Sequence, residues 1–443
     1  MKTLLILRHA KSSWSNSALD DAERPLNARG RRTLPLMASA GILNHKIHFP
    51  VFTSPAVRAR ETIEGIANYS NISADIQIAD SLYTFDYRDL IRWLAGINEN
   101  HSMLMIVGHN PALMEFIAWI TDNEQNEFPT CAYAELSINA DTWADLKAGS
   151  AKLKYFLKPE WISYKKFKKK QSRKYRYSDT SEQYLKNMNL LIAPALLGFD
   201  FEFLHQFRIN TRKLFTSYKT YSSRIKDKTP LTTVKSLTDI YLNFTNPIRD
   251  RDVMLLNLPE WKNKLPGIFA IDFQKFQNFI VLQKQSLYEE FKNYIISSEH
   301  AKLLNESQAA SRLLDSLSRK SYKIQKPSRT RKKRFKKLLE AHASLTVQSD
   351  DGAFHQFRLK VKKFRYQLKL ARKQDKKLNK ILSEFQDLLG KFNDSSVQQA
   401  FIKSAEKISS ESLSHDFCSQ LVQFLENEKI NLKKSIIETK LKK

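Results

Sequence analysis

The chain has 443 residues, enough for two or three domains, and carries a formal charge of +27 with a sequence pI near 9.8. Such a surplus implies a polyanionic partner more readily than it implies a fold. Two cysteines, Cys131 and Cys418, far apart and at no metal-ligand spacing, exclude a disulfide framework and fit a reducing compartment.

The charge is unevenly spread. Residues 1–158 hold 16 Lys+Arg against 17 Asp+Glu, so nearly all of the positive surplus lies beyond them. Within 1–158, short apolar runs at 3–7, 51–53, 76–79 and 103–107 alternate with helical patterns at 26–43, 55–68, 87–95 and 111–120. Two more strand candidates follow at 132–138 and 153–157. This alternation predicts an α/β three-layer domain with a mostly parallel sheet. Residues 4–7 are too short for the apolar core of a signal peptide. No run approaches a membrane span, so a cytoplasmic protein with no membrane partner is expected.

Residues 164–177 contain eight Lys/Arg and three Tyr without an acid or an apolar period, and read as part of a basic linker over 159–177. From about 178 to 443 the pattern is helical, punctuated by Pro230, Pro247, Pro259, Pro266 and Pro327. His-Gln-Phe-Arg occurs twice here, at His205 and at His355. Counting His as zero, both copies carry Arg at +3 (Arg208, Arg358) and bases at +7 and +8 (Arg212 and Lys213; Lys362 and Lys363). Both also carry Lys at +14 (Lys219, Lys369). At about 100° per residue, zero, +3, +7 and +14 share one helical stripe, and Arg365 extends it in the second copy. Phe357, Phe364, Leu368 and Ala371 take the opposite side. Arg249-Asp250 and Asn393-Asp394 follow their histidines at broadly similar distances, and the two aspartates read as helix N-caps.

The chemistry of the first domain gathers at strand ends, where ligands of open α/β sheets collect. The first strand runs into Arg8-His9, Arg58 falls about one turn into a helix, and His109 sits on the turn after another strand. Two arginines and two histidines suit phosphoryl transfer: an imidazole attacks phosphorus, and guanidinium forks bind the equatorial oxygens. No carboxylate cluster for a metal is apparent, so neither metal nor cofactor is expected. With Arg8-His9-Ala10-Lys11-Ser12-Ser13-Trp14, Asp21-Ala22-Glu23-Arg24-Pro25, Arg29-Gly30, Ser54-Pro55-Ala56-Val57-Arg58 and Gly108-His109-Asn110-Pro111, this module resembles the histidine phosphatase superfamily. Within it, the SixA-like phosphohistidine phosphatases are the branch it resembles. The resemblance implies that His9 is the phosphorylated nucleophile and that Arg8, Arg58 and His109 bind phosphate. A general acid is not evident; Asp80, Asp86 and Glu61 are the candidates.

Residues 178–443 resemble the CHAD family, the conserved histidine α-helical domain. That resemblance implies two pseudo-repeated helical bundles whose basic face binds inorganic polyphosphate. Phe215 stands at +10 in the first copy where the second has Arg365, a departure that implies a weaker first half. The leading expectation is a metal-independent phosphatase joined to a polyphosphate-binding domain, its substrate a phosphohistidine protein, a small phosphoester or polyphosphate itself. A polyphosphate adaptor with an idle first domain, or a nucleic-acid binder, are the alternatives.

Overall fold

Leu4, Leu5, Ile6 and Leu7 are all fully buried in the computed structural model, and they alternate between two separate cores. Leu4 and Ile6 join one cluster, while Leu5 and Leu7 join another, because successive strand residues point to opposite faces. A strand covered on both faces needs a helical layer on each side, which is the three-layer arrangement the alternation predicts. The structure describes the chain except residues 17, 44, 46–47, 71–73, 125–126, 172–179, 222–227, 321–327, 370–375, 409–412 and 440–443. Two compact units emerge, Met1–Tyr177 with Leu197–Phe203, and Ser178–Leu196 with Leu204–Lys443.

In the first unit the strands are β1 (Lys2–Arg8), β2 (Pro50–Thr53), β3 (Asp75–Ile78), β4 (Met103–Gly108), β5 (Tyr133–Ile138) and β6 (Ala151–Leu157). Their order is β3-β2-β4-β1-β5-β6; the first four are parallel, β5 runs antiparallel to β1, and β6 runs antiparallel to β5. All six predicted strands are present. The helices are α1 (Ala28–Arg31), α2 (Leu34–Ser39), α3 (Val57–Ser70), α4 (Tyr87–Ala95) and α5 (Ala112–Thr121). The single helix predicted over 26–43 is two, because Pro35 lies in the first turn of α2, where its missing N–H costs nothing. The segment read as a basic linker contains one more helix. Its residues Tyr164–Gln171 form α6, in which Phe167 is buried and Tyr164 meets Phe203 edge-on at 5.4 Å. Two aromatic anchors suffice to order a short cationic helix; residues 172–177 lie outside the described residues.

The second unit is helical: α7 (Ser181–Leu197), α8 (Phe201–Tyr221), α9 (Thr229–Lys264), α10 (Ala270–Ile295), α11 (Ser298–Lys320), α12 (Ser328–Ala343), α13 (Asp351–Lys369), α14 (Lys376–Ile408) and α15 (His415–Glu438). The two repeats lie on α8 and α13. Phe207 packs against Tyr241 and Phe291 in the first bundle. In the second, Phe354, Phe357, Val361 and Phe364 pack with Leu382, Phe385 and Leu389 of α14. Each fully buried side chain of this size contributes about 1.5–3 kcal/mol, so the apolar side of each repeat holds its cationic side in place. A further core of Met254, Trp261, Phe273, Phe276, Ile402 and Phe417 ties α9 and α10 to α14 and α15.

Two readings of this region need correction. Pro247 and Pro259 do not end a helix; both lie inside α9. Interior proline costs roughly 3 kcal/mol, and the buried residues on both sides, Thr245, Ile248, Leu258 and Trp261, show packing overriding that cost. Asp250 and Asp394 are accordingly not N-caps, since they stand in the middle of α9 and α14. Pro327 and Ala371 lie outside the described residues.

Candidate active site

β1, β4 and β2 are neighbours in the sheet, so their carboxyl ends lie side by side. This brings Arg8 at the end of β1, His9 just after it, His109 after β4, and Ser54 and Arg58 after β2 to one place. The His9 backbone N–H donates to the Gly108 carbonyl at 3.2 Å, and the two imidazoles stand 5.0 Å apart between centroids. The loop after His9 is fixed by small residues. The Ala10 N–H donates to Thr62 Oγ1 at 2.9 Å, and Asn27 Nδ2 donates to the Ser12 carbonyl at 3.0 Å. A Cβ at Gly30 would run into the Lys11 carbonyl oxygen, so only glycine lets α1 approach this loop.

Hydrogen bonding assigns both imidazole tautomers. His9 Nδ1 lies 2.7 Å from the Ala10 carbonyl, which can only accept, so Nδ1 carries the proton and Nε2 keeps the lone pair. His109 Nδ1 lies 3.4 Å from Arg58 Nη2, which can only donate; Nε2 therefore bears the proton and donates to Ser54 Oγ at 2.8 Å. Burial, and then the neighbouring cations, lower the pKa of His9 to about 4, with its Ala10 hydrogen bond acting the other way. Burial, and then His9 and Arg58, lower that of His109 to about 3. Both imidazoles are neutral at physiological pH.

The guanidinium groups are held from behind. Arg8 Nη1 donates to the Phe128 carbonyl at 2.7 Å. Arg58, only 4% exposed, donates through Nη1 to the Asp21 backbone carbonyl and through Nη2 to Asp21 Oδ2 at 2.7 Å. Asp21 Oδ2 also accepts from the Tyr83 hydroxyl at 2.8 Å, and Oδ1 lies 3.4 Å from Arg24. Burial pushes the Asp21 carboxyl up, but the Tyr83 and Arg58 hydrogen bonds outweigh it and hold the group below its usual range. Asp21 is thus an ionised anchor for Arg58.

The second unit gathers cations differently. Arg208 is buried, donates to Thr245 Oγ1 at 2.9 Å, and has its pKa lowered to about 10, chiefly by burial. Arg358 and Lys362 of α13 are half-buried. Burial lowers the Lys362 pKa to about 8, helped by Arg358 and by Arg212 of the other repeat. Burial also raises Asp250 and Asp394, which face Arg208 and Arg358 respectively. The cations of α8 and α13 therefore influence one another, and each repeat has a half-buried aspartate, Asp250 or Asp394, acting on its arginine.

The sequence matches the histidine phosphatase superfamily (branch 1) over residues 4–90 and the CHAD domain over residues 182–403. The latter spans half the chain. This protein belongs to the CHAD family and carries a histidine phosphatase superfamily domain before it. An uncharacterized protein of Mycobacterium tuberculosis is 31% identical over 163 residues, 34% of this chain and 99% of that protein. One of Arabidopsis thaliana, described as chloroplastic, is 26% identical over 176 residues, 36% of this chain and 78% of that protein. Among solved structures, putative phosphohistidine phosphatases SixA from Nakamurella multipartita and Agrobacterium tumefaciens are each 25% identical. Their alignments cover 36% of this chain, and 96% and 98% of those chains, with TM-scores of 0.31 and 0.30.

In the histidine phosphatase domain the four residues expected at the pocket, Arg8, His9, Arg58 and His109, lie together. Two of the three acid candidates are engaged elsewhere. Glu61 accepts from the Leu26 N–H at 2.7 Å and pairs with Arg31; Asp86 caps α4 and pairs with Arg88. Asp80 opens the short 3-10 turn Asp80–Leu82 and is exposed. Asp21 was missed as a pocket residue, and its only sequence signal was its place in the quoted Asp-Ala-Glu-Arg-Pro run. In the CHAD domain, Arg212, Lys213, His355 and Lys363 are exposed, and His205 is half-buried. Arg365 donates to Gln386 Oε1 at 2.7 Å. The side chains of Lys219, Leu368 and Lys369 lie outside the described residues. Arg208 is no open cation, because its turn of α8 faces α9. Among the described residues, no group of three or more His, Cys, Asp or Glu is placed to hold a metal ion, and no helix is long and apolar enough to cross a membrane.

Proposed function

We propose that the first domain is a metal-independent phosphatase acting through a phosphohistidine on His9, with phosphohistidine proteins as its substrates. The observation that carries this reading is the His9 tautomer. With Nδ1 donating to Ala10, Nε2 is a neutral nitrogen nucleophile beside two guanidinium groups. In the first step the Nε2 lone pair forms the new P–N bond while the bond to the leaving nitrogen breaks and that nitrogen takes the electron pair and a solvent proton. In the second, water attacks phosphorus, the electron pair returns to Nε2, and inorganic phosphate departs. Arg8 and Arg58 neutralise charge building on the equatorial oxygens, and no cation is required of the solvent. Purified protein releases phosphate from such substrates, and His9→Ala loses this; retained turnover in the variant refutes the mechanism.

The CHAD domain is, on the same reading, a site for inorganic polyphosphate, gripped by Arg212, Arg358, Lys362 and their neighbours. The mutual influence of α8 and α13 supports one shared surface over two independent ones. Polyphosphate outcompeting duplex and single-stranded nucleic acid at physiological salt is the expected outcome, and the reverse order overturns it. A reducing, cytoplasmic setting accords with two free cysteines. One observation favours a polyphosphate adaptor as a second reading: Asp21, the carboxylate tied to the pocket, is held ionised and cannot serve as an acid.

A further inference from the structure

Two large exposed aromatic side chains, Trp14 at 69% and Phe85 at 50%, are tied by contacts to residues of the phosphatase pocket. Neither is adrift. The Arg24 guanidinium lies over the Trp14 ring at 3.8 Å, and Arg24 pairs in turn with Asp21, the anchor of Arg58. Phe85 stands 5.9 Å from the Tyr83 ring and 5.9 Å from that of His109. Tyr83 donates to the same Asp21 carboxylate and meets His109 edge-on at 5.3 Å. Contacts therefore run unbroken from Trp14 through Arg24, Asp21 and Tyr83 to Phe85. Leaving two such rings in water forgoes apolar burial, and the phosphate-binding residues need neither of them.

The proton inventory points the same way. The His9 and His109 protons are committed to Ala10 and Ser54, and Asp21 is ionised. An alkoxide leaving group would find no acid among His9, His109 and Asp21, whereas a ring nitrogen or an aryl oxide needs far less help. Rings also stack on exposed aromatic faces, as a linear alkyl chain does not.

Resting on the phosphatase reading above, we propose that Trp14, clamped by Arg24, and Phe85 form the leaving-group subsite and select substrates whose leaving group is a flat ring. The test compares kcat/KM of the full chain for N-phosphoimidazole, an aryl phosphate and glycerol phosphate. Wild type, Trp14→Ala, Trp14→Phe and Phe85→Ala are measured on each. Using the ratio of ring to alkyl substrates within each variant removes intrinsic leaving-group reactivity. Trp14→Ala and Phe85→Ala lower that ratio about tenfold each, and Trp14→Phe recovers most of it. An unchanged ratio in both alanine variants overturns the subsite while leaving His9-dependent turnover, and so the phosphatase reading, intact. Absence of His9-dependent turnover in wild type overturns both.

Discussion

The two domains collect the same side chains, guanidinium and imidazole, but hold them in opposite ways. In the phosphatase domain Arg58 and both histidines are at least nine-tenths buried and each hydrogen-bonded from behind, the histidines at strand ends and Arg58 in the first turn of α3. In the CHAD domain Arg212, Lys213, His355 and Lys363 are exposed along helices, and the deeper cations are balanced by Asp250 and Asp394. On the proposed mechanism, the first arrangement fixes one phosphorus relative to one nitrogen. The second suits a charge repeated along a chain, where position matters less than number. A histidine is therefore informative by its setting: His9 is buried and neutral with one nitrogen pinned, whereas His355 stands exposed one turn into a helix.

The contrast breaks most sharply under substitution of the buried set. His9→Ala lowers phosphate release by more than about 10³-fold, read by steady-state turnover, because it removes the nucleophile itself. Arg58→Ala lowers kcat by roughly 10²–10³-fold, the scale for one preorganised donor to developing charge. Removing two half-exposed cations is gentler: Arg358→Ala with Lys362→Ala weakens polyphosphate binding about tenfold at physiological salt. In a titration across salt concentrations it reduces the slope of log K against log[salt] by about 2. Asp21→Asn, which keeps the shape but removes the charge behind Arg58, lowers kcat/KM about tenfold with little change in thermal stability. A drop in Tm as large as that of a core truncation contradicts a positioning role.

How much of this was legible before the fold was known follows from what each feature depends on. The strands, the layers and the Arg8, His9, Arg58 and His109 set depend on local apolar runs and on the rule that parallel strands end together, so the sequence carries them. The role of Asp21 depends on a turn folding back onto α3 from 37 residues away, and no periodicity encodes that. Asp250 and Asp394 were misread because Pro247 and the Arg-Asp and Asn-Asp dipeptides resemble helix ends, while packing carries α9 and α14 straight through. On α8 the stripe includes Arg208, which is buried and bonded to Thr245 of α9. Spacing says which residues share a side, not whether another helix covers it.

The pH dependence separates the domains in a second way. His9 must be neutral to attack, and its pKa is lowered to about 4, so kcat/KM stays level from pH 7 down to about 5 and falls below about 4. A fall centred near the usual histidine value of about 6.5 contradicts the buried, neutral assignment. Lys362, lowered to about 8, must be protonated to hold an anion, so polyphosphate binding weakens a few-fold as pH rises from 7 to 9. Lys362→Arg, which stays charged, removes that slope.

The most direct measurement is to quench the enzyme in base during turnover of a ³²P-labelled substrate and map the label by peptide mass spectrometry. The expected result is an acid-labile, base-stable phosphoryl group on His9 at Nε2, absent from His9→Ala and unaffected by His205→Ala or His355→Ala. Label on another residue, or turnover with no phosphoenzyme in wild type, contradicts it.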